Sequence, residues 1–315
     1  MRPKPIRTLH RMVVVGIRAD LTAWSLGLGA SRTVRYGDAL QFEGGDLAPT
    51  ARVRVPTRRG PVPCDVYRPH GTPTGVLVHL HGGAFVMRHP AMDDFWARYM
   101  AARAGVVVVN VDYDVAPRHR YPVAQEQAHD VLVWAAAQGD SLSTGGRRVA
   151  VSGLSAGGNL AAAACLMARD ERSVQPALQV LGVPSLDVAE PVDSKVARAP
   201  GSMIGRQVLE LVRATYFRDA SRREEGYASP LLAPRLDKLP PAYVVTAQRD
   251  VLRAEGDAYA ARLADSGVAV DHEVVPGADH YFLDGDPERA RALLERIAVR
   301  LRDALDDTGS RHDRS

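Results

Sequence analysis

The stretch Val149-Ala150-Val151-Ser152-Gly153-Leu154-Ser155-Ala156-Gly157-Gly158-Asn159-Leu160-Ala161-Ala162-Ala163-Ala164 constrains this chain more than any other. It opens as a short β-branched run, closes as an alanine-rich run, and crowds glycines around one serine between them. That order reads as strand, tight turn, helix. A serine at the tip of such a turn sits in a strained backbone, and its neighbours Gly153 and Gly157 must be small because strand and helix pass close together there. The pattern is that of a nucleophile elbow. It would lift the Ser155 hydroxyl clear of the sheet and aim the Ala156 amide, near a helix N-terminus, at any negative charge developing beside it.

The sequence around the elbow alternates in the same way. Residues 75–80, 106–109, 148–152, 178–183, 242–247 and 270–275 are apolar or β-rich strand candidates, and helical patterns at 94–104, 125–138, 160–169, 255–266 and 287–305 separate them. Continuous apolar strands between helices predict an α/β fold with a mostly parallel central sheet covered by helices on both faces. Two alternating segments, 51–56 and 64–69, flank turn residues and predict an antiparallel hairpin ahead of it.

Two regions break the alternation. Residues 6–31 carry Leu9, Met12, Val13, Ile17, Leu21 and Trp24 at helical spacing, which predicts an amphipathic helix or two before the first strand. Prolines, charges and a single amphipathic segment at 204–217 occupy 185–234, which reads as an insertion. The expected organisation is therefore an N-terminal cap segment (1–50), a catalytic domain in two parts (51–184 and 235–305) and a cap insertion (185–234). Residues 306–315 read as a disordered tail.

Composition excludes several classes. A chain of 315 residues with 46% hydrophobic and 24% charged residues is an ordinary globular protein. The net charge of +3 and the scatter of basic residues leave no nucleic-acid footprint. Cys64 and Cys165 lie far apart without metal-type spacing and read as free thiols. Arg2, Lys4, Arg7 and Arg11 precede the apolar run 12–17, but Arg18 and Asp20 interrupt it too early for a bilayer span. The expectation is a cytoplasmic protein without stable membrane insertion, with a homodimer left open.

A nucleophilic serine needs a base, and the base needs a group to hold its tautomer. After an elbow of this kind the order along the chain is serine, acid, histidine. Asp250 follows the 242–247 strand and His280 follows the 270–275 strand, so both fall at carboxyl ends of strands, as Ser155 does. Asp257 competes with Asp250 but falls inside a predicted helix. Asp279 competes too, yet stands next to His280 in sequence. A fourth part precedes the elbow by about seventy residues: His81-Gly82-Gly83-Ala84, after a strand, where glycines let backbone amides approach a carbonyl oxygen. The amides of Gly83, Ala84 and Ala156 would form an oxyanion hole, with Gly82 shaping the turn. No cofactor and no metal is needed by such a site.

These residues together resemble the hormone-sensitive-lipase-like family of α/β-hydrolases, which are carboxylesterases and lipases. The resemblance rests on His81-Gly82-Gly83-Ala84-Phe85, Val111-Asp112-Tyr113 with Ala116-Pro117 and Tyr121-Pro122, Gly153 to Gly158, Tyr227-Ala228-Ser229-Pro230-Leu231, Leu239-Pro240-Pro241-Ala242, and Asp250-Val251-Leu252 with Glu255-Gly256. It implies an α/β-hydrolase fold with a helical cap over an acyl pocket and a small-molecule ester as substrate. Trp24, Met203, Ile204, Leu209 and Phe217 are the cap residues expected at that pocket. Three departures stand out: Leu154 replaces the family's aspartate, Ala84 its third oxyanion glycine, and Asp114 and Arg118 reverse charges near the expected mouth. The alternatives are a ligand-binding pseudo-hydrolase, disfavoured because His280 is present, and a triad hydrolase acting on an amide, a lactone or a biosynthetic intermediate.

Overall fold

The computed structural model describes residues 6–34, 36–138 and 148–306, the side chains of residues 6–15, 31 and 33 excepted. Arg2, Lys4, the side chains at Leu9, Met12 and Val13, and the expected tail beyond residue 306 lie outside the described residues.

Among the described residues eight strands form one sheet: β1 (Ala51–Val55), β2 (Val62–Tyr67), β3 (Val76–Leu80), β4 (Val107–Val111), β5 (Val149–Leu154), β6 (Gln179–Gly182), β7 (Ala242–Ala247) and β8 (Val270–Val275). Their spatial order is β1-β2-β4-β3-β5-β6-β7-β8. The β1–β2 hairpin is antiparallel and β2 pairs antiparallel with β4, whereas every other neighbouring pair is parallel. The chain steps from β3 to β4 in one direction and then crosses back over β3 to β5. The carboxyl ends of β3 and β5 therefore flank the point where the winding reverses, the crevice in which open parallel sheets bind ligands.

The helices are α1 (Ile6–Thr33), α2 (Asp94–Ala104), α3 (Val123–Ala137), α4 (Ala156–Glu171), α5 (Val192–Arg198), α6 (Arg206–Thr215), α7 (Arg253–Asp265) and α8 (Pro287–Leu305). Strand side chains alternate between two cores, as the period of two demands. Val76, Val78 and Leu80 join α3, α4 and α7 on one face. Leu77, Val108 and Ala150 join α2 and α8 on the other. Both cysteines are free and buried.

Two boundaries differ from the sequence reading. Helix α4 begins at Ala156, not near residue 160, because Ser155 itself caps it and Gly157 and Gly158 wind into the first turn. Strand β4 continues to Val111, since Asn110 and Val111 still pair with His79 and Leu80. Within residues 185–234, read as carrying one or two helices, the described residues form α5 and α6, and α1 packs against α6.

Candidate active site

Strand β5 ends at the tip of the elbow. Ser155 has φ 56° and ψ −114°, and its N–H donates to the Gly182 carbonyl at 2.8 Å, which ties the strained turn to β6. A Cβ on Gly153 would run into the Gly157 carbonyl, and one on Gly157 into that of Leu80. Only glycine fits at either place, which is why the sequence signal is so sharp.

Two loops bring the other groups to Ser155. Asp250 follows β7 and His280 follows β8, and both are buried. The His280 ring joins Asp250 Oδ2 to its Nδ1 at 2.9 Å and Ser155 Oγ to its Nε2 at 2.9 Å. With Nδ1–H donating to the carboxylate, Nε2 accepts from the serine hydroxyl. The two rival acids are occupied elsewhere. Asp257 accepts from Thr246 Oγ1 at 2.8 Å and pairs with Arg253 and His272. Asp279 accepts from the backbone N–H of His280 at 2.7 Å, holding its main chain and not its ring.

The loop after β3 runs beside the serine. Gly83, Ala84 and Phe85 have φ of 118°, 53° and 58°, three successive left-handed residues, two of them with a Cβ. Such a turn persists only when its surroundings fix it. The Tyr113 hydroxyl donates to the His81 carbonyl at 2.7 Å, the N–H groups of Val86 and Met87 donate to the Gly83 carbonyl at 3.0 Å, and Ala116 N–H donates to the Phe85 carbonyl at 2.9 Å. The His81 ring stacks on Tyr113 with centroids 4.3 Å apart and donates from Nδ1 to the Gly82 carbonyl at 2.6 Å. Burial lowers its pKa to about 4, so the ring is neutral.

Gly82 N–H donates to Asp93 Oδ2 at 3.3 Å. Asp93 in turn pairs with His79 Nε2 at 3.0 Å, and His79 Nδ1 meets Ser152 Oγ at 2.8 Å. This second Ser-His-Asp chain is wholly buried beneath the loop, and the sequence reading missed it. Its signal in the sequence was the polar His79 within an otherwise apolar strand.

A cavity of about 310 Å³ opens on Ser155, His280, Gly82, Gly83, Ala84 and Ala156. Leu154, Ile204, Val208, Leu209 and Val212 are among the apolar side chains that wall it, with Met203 and Tyr36. Leu154, the residue replacing the family's aspartate, is thus a wall of the cavity. Two of the expected cap residues are elsewhere: Trp24 is exposed, and Phe217 is buried between Phe85 and Tyr216. Asp114 and Arg118 do not line the cavity. Asp114 pairs with Arg88 at 3.0 Å and accepts from Gln127 at 2.8 Å, so its reversed charge is met locally. Among the described residues no group of three His, Cys, Asp or Glu side chains is arranged to hold a metal ion.

Comparisons with known proteins agree with this architecture. A family model for the α/β-hydrolase fold matches residues 77–284. An arylesterase from Saccharolobus solfataricus is 35% identical over 245 residues, covering 77% of this chain and 79% of the relative. An ethyl acetate hydrolase from Pseudomonas putida is 34% identical over 227 residues, covering 70% of this chain and 71% of its own. The solved structure of a hyperthermophilic esterase from the archaeon Pyrobaculum calidifontis superposes with a TM-score of 0.82 at 30% identity, over 96% of this chain and 100% of that one. With its parallel sheet, its elbow and these relatives, the chain belongs to the hormone-sensitive-lipase-like family of α/β-hydrolases.

Proposed function

We propose that the protein is a serine carboxylesterase acting on short- to medium-chain carboxylic esters. The observation that carries this reading is the unbroken chain Asp250–His280–Ser155, with both links at 2.9 Å, opening on an apolar cavity beside the amides of Gly83, Ala84 and Ala156. Relatives described as an arylesterase and an ethyl acetate hydrolase support the bond type.

In this mechanism Ser155 Oγ attacks the ester carbonyl carbon while His280 Nε2 takes the hydroxyl proton. The carbonyl oxygen becomes an oxyanion, stabilised by the N–H groups of Gly83, Ala84 and Ala156; the last adds the positive end of α4. His280 then gives its proton to the departing alkoxide, leaving an acyl-Ser155 ester. Water, deprotonated by the same ring, attacks the acyl carbon, and the collapse returns the proton to Ser155 and releases the carboxylic acid. Asp250 remains ionised throughout and stabilises the imidazolium.

A purely ligand-binding protein has no use for a base aligned on a strained serine, so the hydrolytic reading is the stronger. The test is hydrolysis of p-nitrophenyl esters from acetyl to long acyl chains by wild type and Ser155→Ala. Activity peaking at short or medium chains, and reduced at least about a thousandfold in the variant, is the expected result. A folded wild type inert across the series would overturn the ester assignment.

A further inference from the structure

Helix α1 is built inside out. The positions facing the body of the protein carry its smallest side chains: Gly16, Ala23 and Ala30 are buried, and Gly27 lies against the Val86 carbonyl. From the same side Asp20 accepts from Arg120 Nη2 at 2.9 Å and from Arg218 Nη1 at 3.3 Å, which anchors the helix to the rest of the fold. Four large apolar residues face the other way, while Leu26, 45% exposed, lies off that side. Ile17, Leu21, Trp24 and Leu28 are each 52–61% exposed.

Their spacing of four, three and four residues puts these side chains on one stripe, about 60° wide around the helix. Exposed Arg18 and Arg32 fall on the side bordering that stripe, and in sequence positions 7 and 11 of the same register are arginine as well. The first acidic residue of the chain is Asp20, after five Lys and Arg. A narrow apolar stripe with a tryptophan, edged by guanidinium groups, has the chemistry of a helix lying at the headgroup boundary of a negatively charged bilayer. Among the described residues no helix is long and apolar enough to cross a membrane, so such a helix would lie in the surface plane. Antiparallel pairing with a second copy through the same stripe would bring the arginine borders toward each other, an unfavourable arrangement.

We propose that this stripe of α1, Ile17, Leu21, Trp24 and Leu28 with its arginine border, is a docking surface for an anionic lipid membrane. The inference does not depend on the hydrolytic reading. It does have a bearing on access, because α1 packs on α6, and Val208, Leu209 and Val212 of α6 wall the cavity. Docking through α1 would set that wall close to the lipid.

The experiment is co-sedimentation of the full chain with extruded vesicles of pure phosphatidylcholine and of phosphatidylcholine containing one quarter phosphatidylglycerol. Wild type should pellet only with the anionic vesicles, and raising salt from about 0.1 to about 0.5 M should release most of it. Leu21→Asp/Trp24→Asp should lower the partition coefficient at least about tenfold while its circular-dichroism melt stays that of wild type. Should that variant fail to fold, Trp24 fluorescence in wild type, with Trp24→Phe as blank, must shift to the blue on anionic vesicles alone. Failure to pellet, equal pelleting with both vesicles, or no blue shift would overturn the proposal. So would a wild-type dimer in sedimentation velocity that the variant converts to monomer without any lipid binding, since a second copy would then cover the stripe.

Discussion

The Ser202 hydroxyl, in the insertion, donates to Asp279 Oδ1 at 3.1 Å, one residue before His280. The same hydroxyl accepts from the N–H of Val251 at 3.1 Å, one residue after Asp250. Asp279 Oδ2 accepts from Met203 N–H at 3.0 Å. One short piece of chain therefore spans the loops that carry Asp250 and His280, and its next residues, Met203 and Ile204, wall the cavity.

This clasp leads to a separable effect. Asp279→Asn keeps an acceptor for His280 N–H but sets an amide NH₂ opposite Met203 N–H, so the cavity wall should loosen while the triad stays in place. KM for medium-chain p-nitrophenyl esters should rise several-fold, with kcat on the acetyl ester within about twofold of wild type. A uniform loss of kcat across chain lengths would show that the aspartate matters only for the histidine.

Asp250→Asn should retain the fold and lower kcat by about 10⁴, because the amide NH₂ turned toward Nδ1 favours the tautomer whose Nε2 already carries a proton. Circular dichroism and steady-state turnover on one ester check it. Near-normal turnover would move the acid's role to another residue.

Asp93 touches the loop after β3 at the Gly82 amide, so in the proposed mechanism its contribution belongs to the transition state. Asp93→Ala should reduce kcat about tenfold or more with KM little changed, less than the loss of a direct oxyanion donor. Asp93→Asn, which retains an acceptor, should recover most of the difference. An unchanged kcat in the alanine variant would relieve Asp93 of that role.

Lys195 on α5 and Glu255 on α7 form a buried ion pair, and Asp187 N–H donates to the same Glu255 oxygen at 3.0 Å. Burial, opposed by the Lys195 ammonium, pushes the Glu255 carboxyl from its ordinary 4.5 up to about 7. A group with its folded pKa raised binds its proton more tightly in the folded chain. Its contribution to stability is fully present below about 4.5 and lost as pH rises through about 7. The wild-type Tm should therefore fall more between about pH 5 and about pH 8 than that of Lys195→Met/Glu255→Leu, in which the pair is replaced by apolar groups. Parallel pH profiles for the two proteins would mean that the carboxyl titrates alike in both states.

Much of this architecture could be read from residue order. The parallel strands announced themselves as unbroken valine runs, such as 106–109, since both faces of the sheet are covered. The elbow could be read because its glycines face backbone, where no other residue fits. Asp250 and His280 were accessible from chain order and strand ends, and the structure sets them in one hydrogen-bond chain with Ser155. What escaped depended on which neighbour a residue meets. Periodicity found an apolar stripe on α1 but gave no sign that the glycine and alanine side would be the buried one, so Trp24 was expected inward. The Asp93 contact with Gly82 joins residues 11 apart through a loop of no regular period, and the Ser202 clasp joins residues 77 apart.

The separation within the proposed triad bears on how the protein is made. Ser155 and His280 lie 125 residues apart, and the histidine rides on the loop that follows the last strand. A nascent chain that has emerged as far as the elbow carries Ser155 and the loop after β3 but not His280, the proposed base. Long-range pairing of this kind forms late in folding. Hydrolytic competence should accordingly appear only when β7 and β8 have docked, which makes turnover itself a report that the carboxyl-terminal part of the sheet is complete.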